Sequence, residues 1–270
     1  MAGTDEVADD DTLYVLTALL LTPAQFPSVL GDDYPAVCAS LGLEPFAEGY
    51  GLVLGQDSAG ARWTVVVDDV SLVAVAIASW DCGMDYDLSP SDRTVVAALP
   101  GWPLHVATVA PGVPAPHDPE NEDDAGPCLA PPDTETWGPA QRRLGADEIA
   151  LQWAAWREQV ADQVTFVQPD EQEDDGGEPA AGHEGVRRVL KELHGYVDEP
   201  PPPGRVRSSF APDGARTLRA DGPGWSLVAR TDDIAFVLLD DEPGEVLPVG
   251  RGPELPGLLE GLDKVAVRPS

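Results

Sequence analysis

Trp225-Ser-Leu-Val-Ala-Arg-Thr-Asp-Asp-Ile-Ala-Phe-Val-Leu-Leu239 reads as two short strands joined by an Asp-Asp turn. Apolar and β-branched residues fill both arms, and polar residues stand where the chain must reverse. An earlier stretch is similar: Trp63-Thr-Val-Val-Val-Asp-Asp-Val-Ser-Leu-Val73 aligns with it across one gap. Leu99-Pro-Gly matches Leu255-Pro-Gly, and Val106-Ala-Thr-Val matches Val265-Ala-Val. Hairpins of this kind also arise by chance. A duplication would place Trp63 and Trp225 at equivalent points of two units with the same strand order.

The two hairpins and the segments that flank them predict an α+β protein of two mixed helix and antiparallel-sheet units. Residues 1–11, small and acidic, read as a frayed tail. The N-terminal unit covers 12–110. It begins with a helix over about 12–21, capped by Asp11 or Thr12 and stopped before Pro23. A short helix follows over Tyr34–Leu41. Tyr50, Leu52 and Leu54 alternate as a strand, and Arg62–Val67 is the next. Val70–Ala78 is a nearly unbroken apolar run and reads as a central strand covered on both faces. A helix capped by Ser89 or Ser91 and a strand over Leu104–Val109 complete the unit.

Residues 111–146 are rich in proline and acid and read as a linker. An amphipathic helix over 147–166 follows, because Ile149, Trp153, Trp156, Val160 and Val164 recur at helical spacing. A second acidic linker spans 168–182. The C-terminal unit, 183–270, holds a helix near 184–195, four strands near 205–211, 216–220, 225–230 and 233–239, a helix near 253–261 and a strand at 264–268.

The 270 residues carry 48 acidic against 16 basic side chains, a formal net charge of −32. The first 141 residues hold only two basic residues, Arg62 and Arg93. Such a surface repels phosphate backbones and anionic membranes, so direct binding to nucleic acid or membrane is not expected. No apolar run approaches the roughly 20 residues of a membrane helix. Only two lysines and one asparagine, beside 28 prolines and 27 glycines, point to a high-GC bacterium; an extreme halophile is the second source of such acidity. Cys38, Cys82 and Cys128 are odd in number and show no CxxC pair. Free thiols in a reducing cytoplasm follow, rather than a disulfide scaffold or zinc ribbon.

The sequence lacks the common catalytic motifs. There is no phosphate loop and no nucleophile elbow. Gly49, Gly51 and Gly55 resemble a dinucleotide fingerprint, but no helix follows them. His183-Glu184 has Arg187 where a zincin places its second histidine. Asp81, Asp85 and Asp87 are the best metal candidates, three carboxylates within seven residues. An EF-hand frame starting at Asp85 fails, with Pro90 at the glycine position and Val96 at the bidentate-glutamate position. His105 could join these aspartates in a hydrolytic or metal-assisted site, or pair with Cys82. No cofactor is predicted.

Two features suit binding better. Trp153 and Trp156 give one helix face a large burial term, either within the chain or at a partner. Arg205, Arg207, Arg216 and Arg219 are expected on neighbouring strands, meeting acidic residues of the N-terminal unit or an acidic partner. The reading is a non-catalytic cytoplasmic protein-binding module, immunity-, chaperone- or regulator-like, whose partner is a protein, basic by complementarity. The alternatives are the enzyme just described and an acidic mimic of nucleic acid that occupies a basic protein.

Overall fold

The computed structural model describes residues 13–25, 34–104, 106–119, 133, 135–160 and 183–268. The expected tail at 1–11 and most of both linkers lie outside these residues, as does His105. The described elements run β1 (Tyr14–Leu21), α1 (Tyr34–Ser40), β2 (Tyr50–Gln56), β3 (Arg62–Val67), α2 (Val70–Asp81), β4 (Val95–Pro100), α3 (Pro139–Leu151), α4 (Trp153–Gln159), α5 (Glu184–Asp198), β5 (Val206–Phe210), β6 (Arg216–Gly222), β7 (Trp225–Arg230), β8 (Ala235–Leu239), β9 (Leu247–Val249) and α6 (Leu255–Val265). The fold is mixed α+β with two antiparallel sheets. The chain divides into two units: Met1–Thr22 with Ser40–Pro131, and Pro23–Ala39 with Pro132–Ser270.

The first unit is a four-stranded meander, β1-β2-β3-β4. One face of its sheet is covered by α2, which buries Val73 and Ala76 against Ala18, Val53, Val65 and Val67. Asp69 caps the helix by accepting the Leu72 N–H at 2.9 Å. The helix lies close because position 51 is glycine: a Cβ there would stand 2.4 Å from Val73 Cγ2. Gly51 therefore serves the packing of α2 on the sheet, and Gly55 the close approach of Leu13 and the Tyr14 carbonyl.

Four expectations for this unit are corrected. Val70–Asp81 is a helix, not a strand. Its apolar content hides the helical period, and Asp69 caps its first turn. Tyr14–Leu21 is a strand, not a helix. Its leucine-rich run favours a helix locally, but register with β2, Ala18 opposite Val53, overrides that preference. Val95–Pro100 is a strand where a helix was expected. Thr94, Val95 and Val96 are β-branched, and Val95–Ala98 ladder onto β3. Leu104–Val109 forms no strand over its described residues. Part of the expected linker is also seated on this unit. His117 bridges Ala61, and Arg62 pairs with Asp118 at 2.5 Å.

Asp57 closes the β2–β3 turn by accepting N–H groups from Ala59, Ala61 and the Trp63 indole. Burial pushes its carboxyl pKa up, but those bonds outweigh burial and hold it below the ordinary range. The stabilisation is present above the ordinary carboxylate range and fades as pH falls through the lowered folded value. Asp57→Asn should therefore flatten the acid limb of stability between about pH 5 and pH 2. Thermal melts across that range test this, and an unchanged acid slope would refute it.

The second unit is a five-stranded meander, β5-β6-β7-β8-β9, with helices on both faces. On one face α5 and α6 bury Val186, Val189, Leu193, Leu258 and Leu262 against Leu218, Leu227, Val237 and the fully buried Trp225. The Trp225 indole donates to Glu192 at 2.6 Å. On the other face α3 and α4 cover Val228, Phe236 and Leu238.

Over its described residues, which end at Val160, the expected 147–166 helix is two helices, α3 and α4, broken at Gln152; residues 161–166, with Val164, lie outside them. The first starts at Pro139, a residue suited to the opening turn, so it reaches into the expected linker. Helix α5 passes through Gly195 to Asp198. The expected 264–268 strand is the end of α6 followed by one bridge, Arg207 to Val267. The short β9 lies outside the expected strands. The hairpin correspondence ends at the Asp-Asp turn, since α2 follows in one unit and β8 in the other.

Candidate functional site

Antiparallel sheets leave unpaired main-chain groups at their edges, and proteins usually blunt them. Three of the four edges here are short or interrupted. Strand β9 has three residues and contains Pro248, and β4 ends on Pro100. Strand β5 exchanges two hydrogen bonds with Val267, at 2.9 and 3.0 Å. Strand β1 is different. Tyr-Val-Leu-Thr-Ala-Leu-Leu-Leu is eight residues long, with neither charge nor proline. Its one irregularity is a bulge between Val15 and Thr17. Among the described residues only β2 pairs with it.

A groove of about 540 Å³ runs beside this edge, lined by residues 13–17, Trp80, Tyr86–Ser89, Ala110 and Pro111. Its aromatic wall is held in place: the Trp80 indole donates to the Tyr86 carbonyl at 3.0 Å, and Leu88 is buried below. Tyr14 is 40% exposed at the rim. The loop leaving α2 adds negative charge, with Asp81, Asp85, Asp87 and Asp92 against Arg93.

Asp81, Asp85 and Asp87 are all exposed, and Asp87 accepts the Ser89 hydroxyl at 2.8 Å. Among the described residues, no three His, Cys, Asp or Glu side chains come together as a metal group. Cys82 is exposed and Cys38 buried. His183 stands at the N-terminal boundary of α5 without a side-chain capping bond, and its Nε2 meets Glu242 at 3.1 Å.

Trp153 and Trp156 both pack on the second sheet. Trp153 is 8% exposed, meets the Phe236 ring edge-on at 5.2 Å and donates to Asp233 at 3.2 Å. Trp156 is only partly buried.

The four arginines separate. Arg205 precedes β5. Arg216 meets Asp263 of α6 at 3.5 Å. Arg207 and Arg219 face each other across β5 and β6 beneath α3. Their partners are acids of their own unit, which corrects the expectation of acids from the N-terminal unit. Arg207 reaches Asp221 at 3.1 Å, and Arg219 bonds Asp147. Asp221 also accepts from Ser226 at 2.6 Å and stands 3.7 Å from Arg143. Arg142, fully buried, binds Asp240 at 2.7 Å and Ser226 at 3.2 Å. Burial drives the pKa of Arg142 and Arg207 below the usual guanidinium range, against the attraction of Asp240 and Asp221 respectively. Burial also raises Asp147, against Arg219 and Arg207.

Sequence reasoning missed both the β1 groove and this network. The network had a signal. The stripe through Ile149 and Trp153 extends back through Ala146 to Arg142, so a charge falls on a buried face and demands a carboxylate. The groove had a weaker one, in Trp80 and Tyr86 bracketing an acidic loop. No protein-family model, curated protein or solved structure matches the chain.

Proposed function

We propose that this chain is a non-catalytic protein-binding module of the cytoplasm, of the immunity, chaperone or regulator kind. Its partner is received on the acidic first unit. The observation that carries the reading is β1, an eight-residue apolar sheet edge beside an aromatic groove. An edge of this kind invites pairing, and the other sheet edges are shorter or interrupted. The three candidate metal-binding aspartates are exposed, so the enzymatic alternative gains no support from them.

Affinity capture from native extract tests the proposal. Wild type should retain one protein in stoichiometric yield, and Leu16→Lys in the groove wall should lose it without loss of fold. Identical capture by both proteins would sink the assignment to this site. A second reading, an acidic mimic of nucleic acid, is favoured by the two basic residues in the first 141. It requires that the captured protein be released steeply as salt rises and that nucleic acid compete for it.

A further inference from the structure

We infer that β1 and the Trp80–Tyr86 groove take a short, extended, basic segment of the partner, added as a strand beside residues 13–17. The inference rests on the protein-binding reading above and names the chemistry of what is bound. Main-chain groups on the outer side of β1, interrupted at the Val15–Thr17 bulge, offer hydrogen bonds to an added strand independent of the partner's sequence. Specificity then comes from alternate side chains. Those turned toward α2 meet Trp80, Tyr86 and Leu88, which select apolar residues. The loop over residues 81–93 supplies four aspartates and one arginine, and Asp87 lines the groove. Of the unit's two basic residues, Arg62 is engaged with Asp118. An acidic segment would meet repulsion here, and lysine or arginine flanking an apolar residue would be steered in.

The bulge limits the length of what binds. A bulged edge is twisted and resists flat stacking of long strands, so a few residues pair and the rest of the segment leaves the edge. The locked Trp80–Tyr86 contact means that the groove is formed before its occupant arrives, which lowers the ordering cost of binding.

The test uses the full chain and three labelled octapeptides, read by fluorescence anisotropy at about 50 mM and about 300 mM salt. One peptide alternates lysine and valine, one alternates glutamate and valine, and the third is the lysine peptide with two central prolines. The lysine–valine peptide should bind about tenfold more tightly than the glutamate peptide. Proline removes the donors that strand addition needs, and should weaken binding about tenfold as well. Hydrogen exchange of amides in residues 14–17 should slow when the peptide is bound. Asp87→Lys, an exposed loop change, should reduce the preference for lysine over glutamate by at least about fivefold with an unchanged melt.

Equal binding of the proline peptide would overturn strand addition, leaving only charge attraction. Protection confined to other elements would overturn the site. A chain that dimerises through β1, shown by sedimentation and broken by Leu16→Lys, would replace the partner segment by a second copy and also overturn the inference. If no peptide binds while Leu16→Lys still abolishes capture of the native partner, the inference fails and the protein-binding reading stands. If capture is also indifferent to Leu16→Lys, both fail.

Discussion

Asp221→Ala should destabilise the second unit by about 3–5 kcal/mol, the cost of stranding buried charge rather than of losing one contact. Asp221 is 2% exposed and takes the Arg207 guanidinium and the Ser226 hydroxyl, with Arg143 at 3.7 Å. Arg207 has two further nitrogens, Nε and Nη1, that are buried without a protein acceptor among the described residues. Removing the carboxylate thus takes from the buried Arg207 guanidinium its hydrogen-bonded counter-charge, leaving it the attraction of Asp147. The companion variant separates charge from packing. Arg207→Met combined with Asp221→Ala should recover part of the loss, because a buried pair replaced by apolar groups costs far less than a broken one. Chemical denaturation of both variants gives the values. A single variant within about 1 kcal/mol of wild type would show that the network is not what holds α3 down.

Trp153→Ala should cost about 3–5 kcal/mol, through lost burial and the cavity left behind. Its indole fills the space between α3, α4 and Phe236, and it donates to Asp233, which Arg157 also engages at 3.1 Å. Trp156→Ala is the internal comparison. That side chain is partly exposed, so its removal should cost about 1–2 kcal/mol. Denaturant midpoints decide the matter, and equal losses at the two positions would contradict the burial described for them. The expected loss of structure thus belongs to Trp153, although both indoles lie on the stripe that predicted the helix.

How far the fold was legible depends on where each element's partner lies. β7 and β8 were readable because a short turn and dense β-branched arms carry their own pairing information within fifteen residues, Trp225–Leu239. The stretch after Asp69 has the same turn and a similar composition, yet it is a helix. Its neighbours decide this: Gly51 makes room for Val73, and β2 and β4 flank β3, so the place beside β3 is taken. β1 failed for the complementary reason. Its leucines are good helix formers, and its strand conformation comes from a ladder with residues about 35 positions later. At the candidate site, the acidity and the aromatics could be read directly. The edge could not, because an edge is a property of strand order.

The path of the chain has a consequence for its synthesis. Residues 23–39 belong with the unit otherwise formed by 132–270, and the segment at Pro23 and Tyr34 closes around Gly204, where a Cβ would touch both. On the ribosome this segment emerges on the order of ten seconds before the strands it joins, at ordinary elongation rates. The first unit can close its sheet meanwhile, before the strands that the early segment joins have been made. The last unit to be translated then recruits a piece of chain already in place. A fragment beginning at residue 132 would lack that piece, and so would not be a faithful substitute for the second unit in any expression experiment.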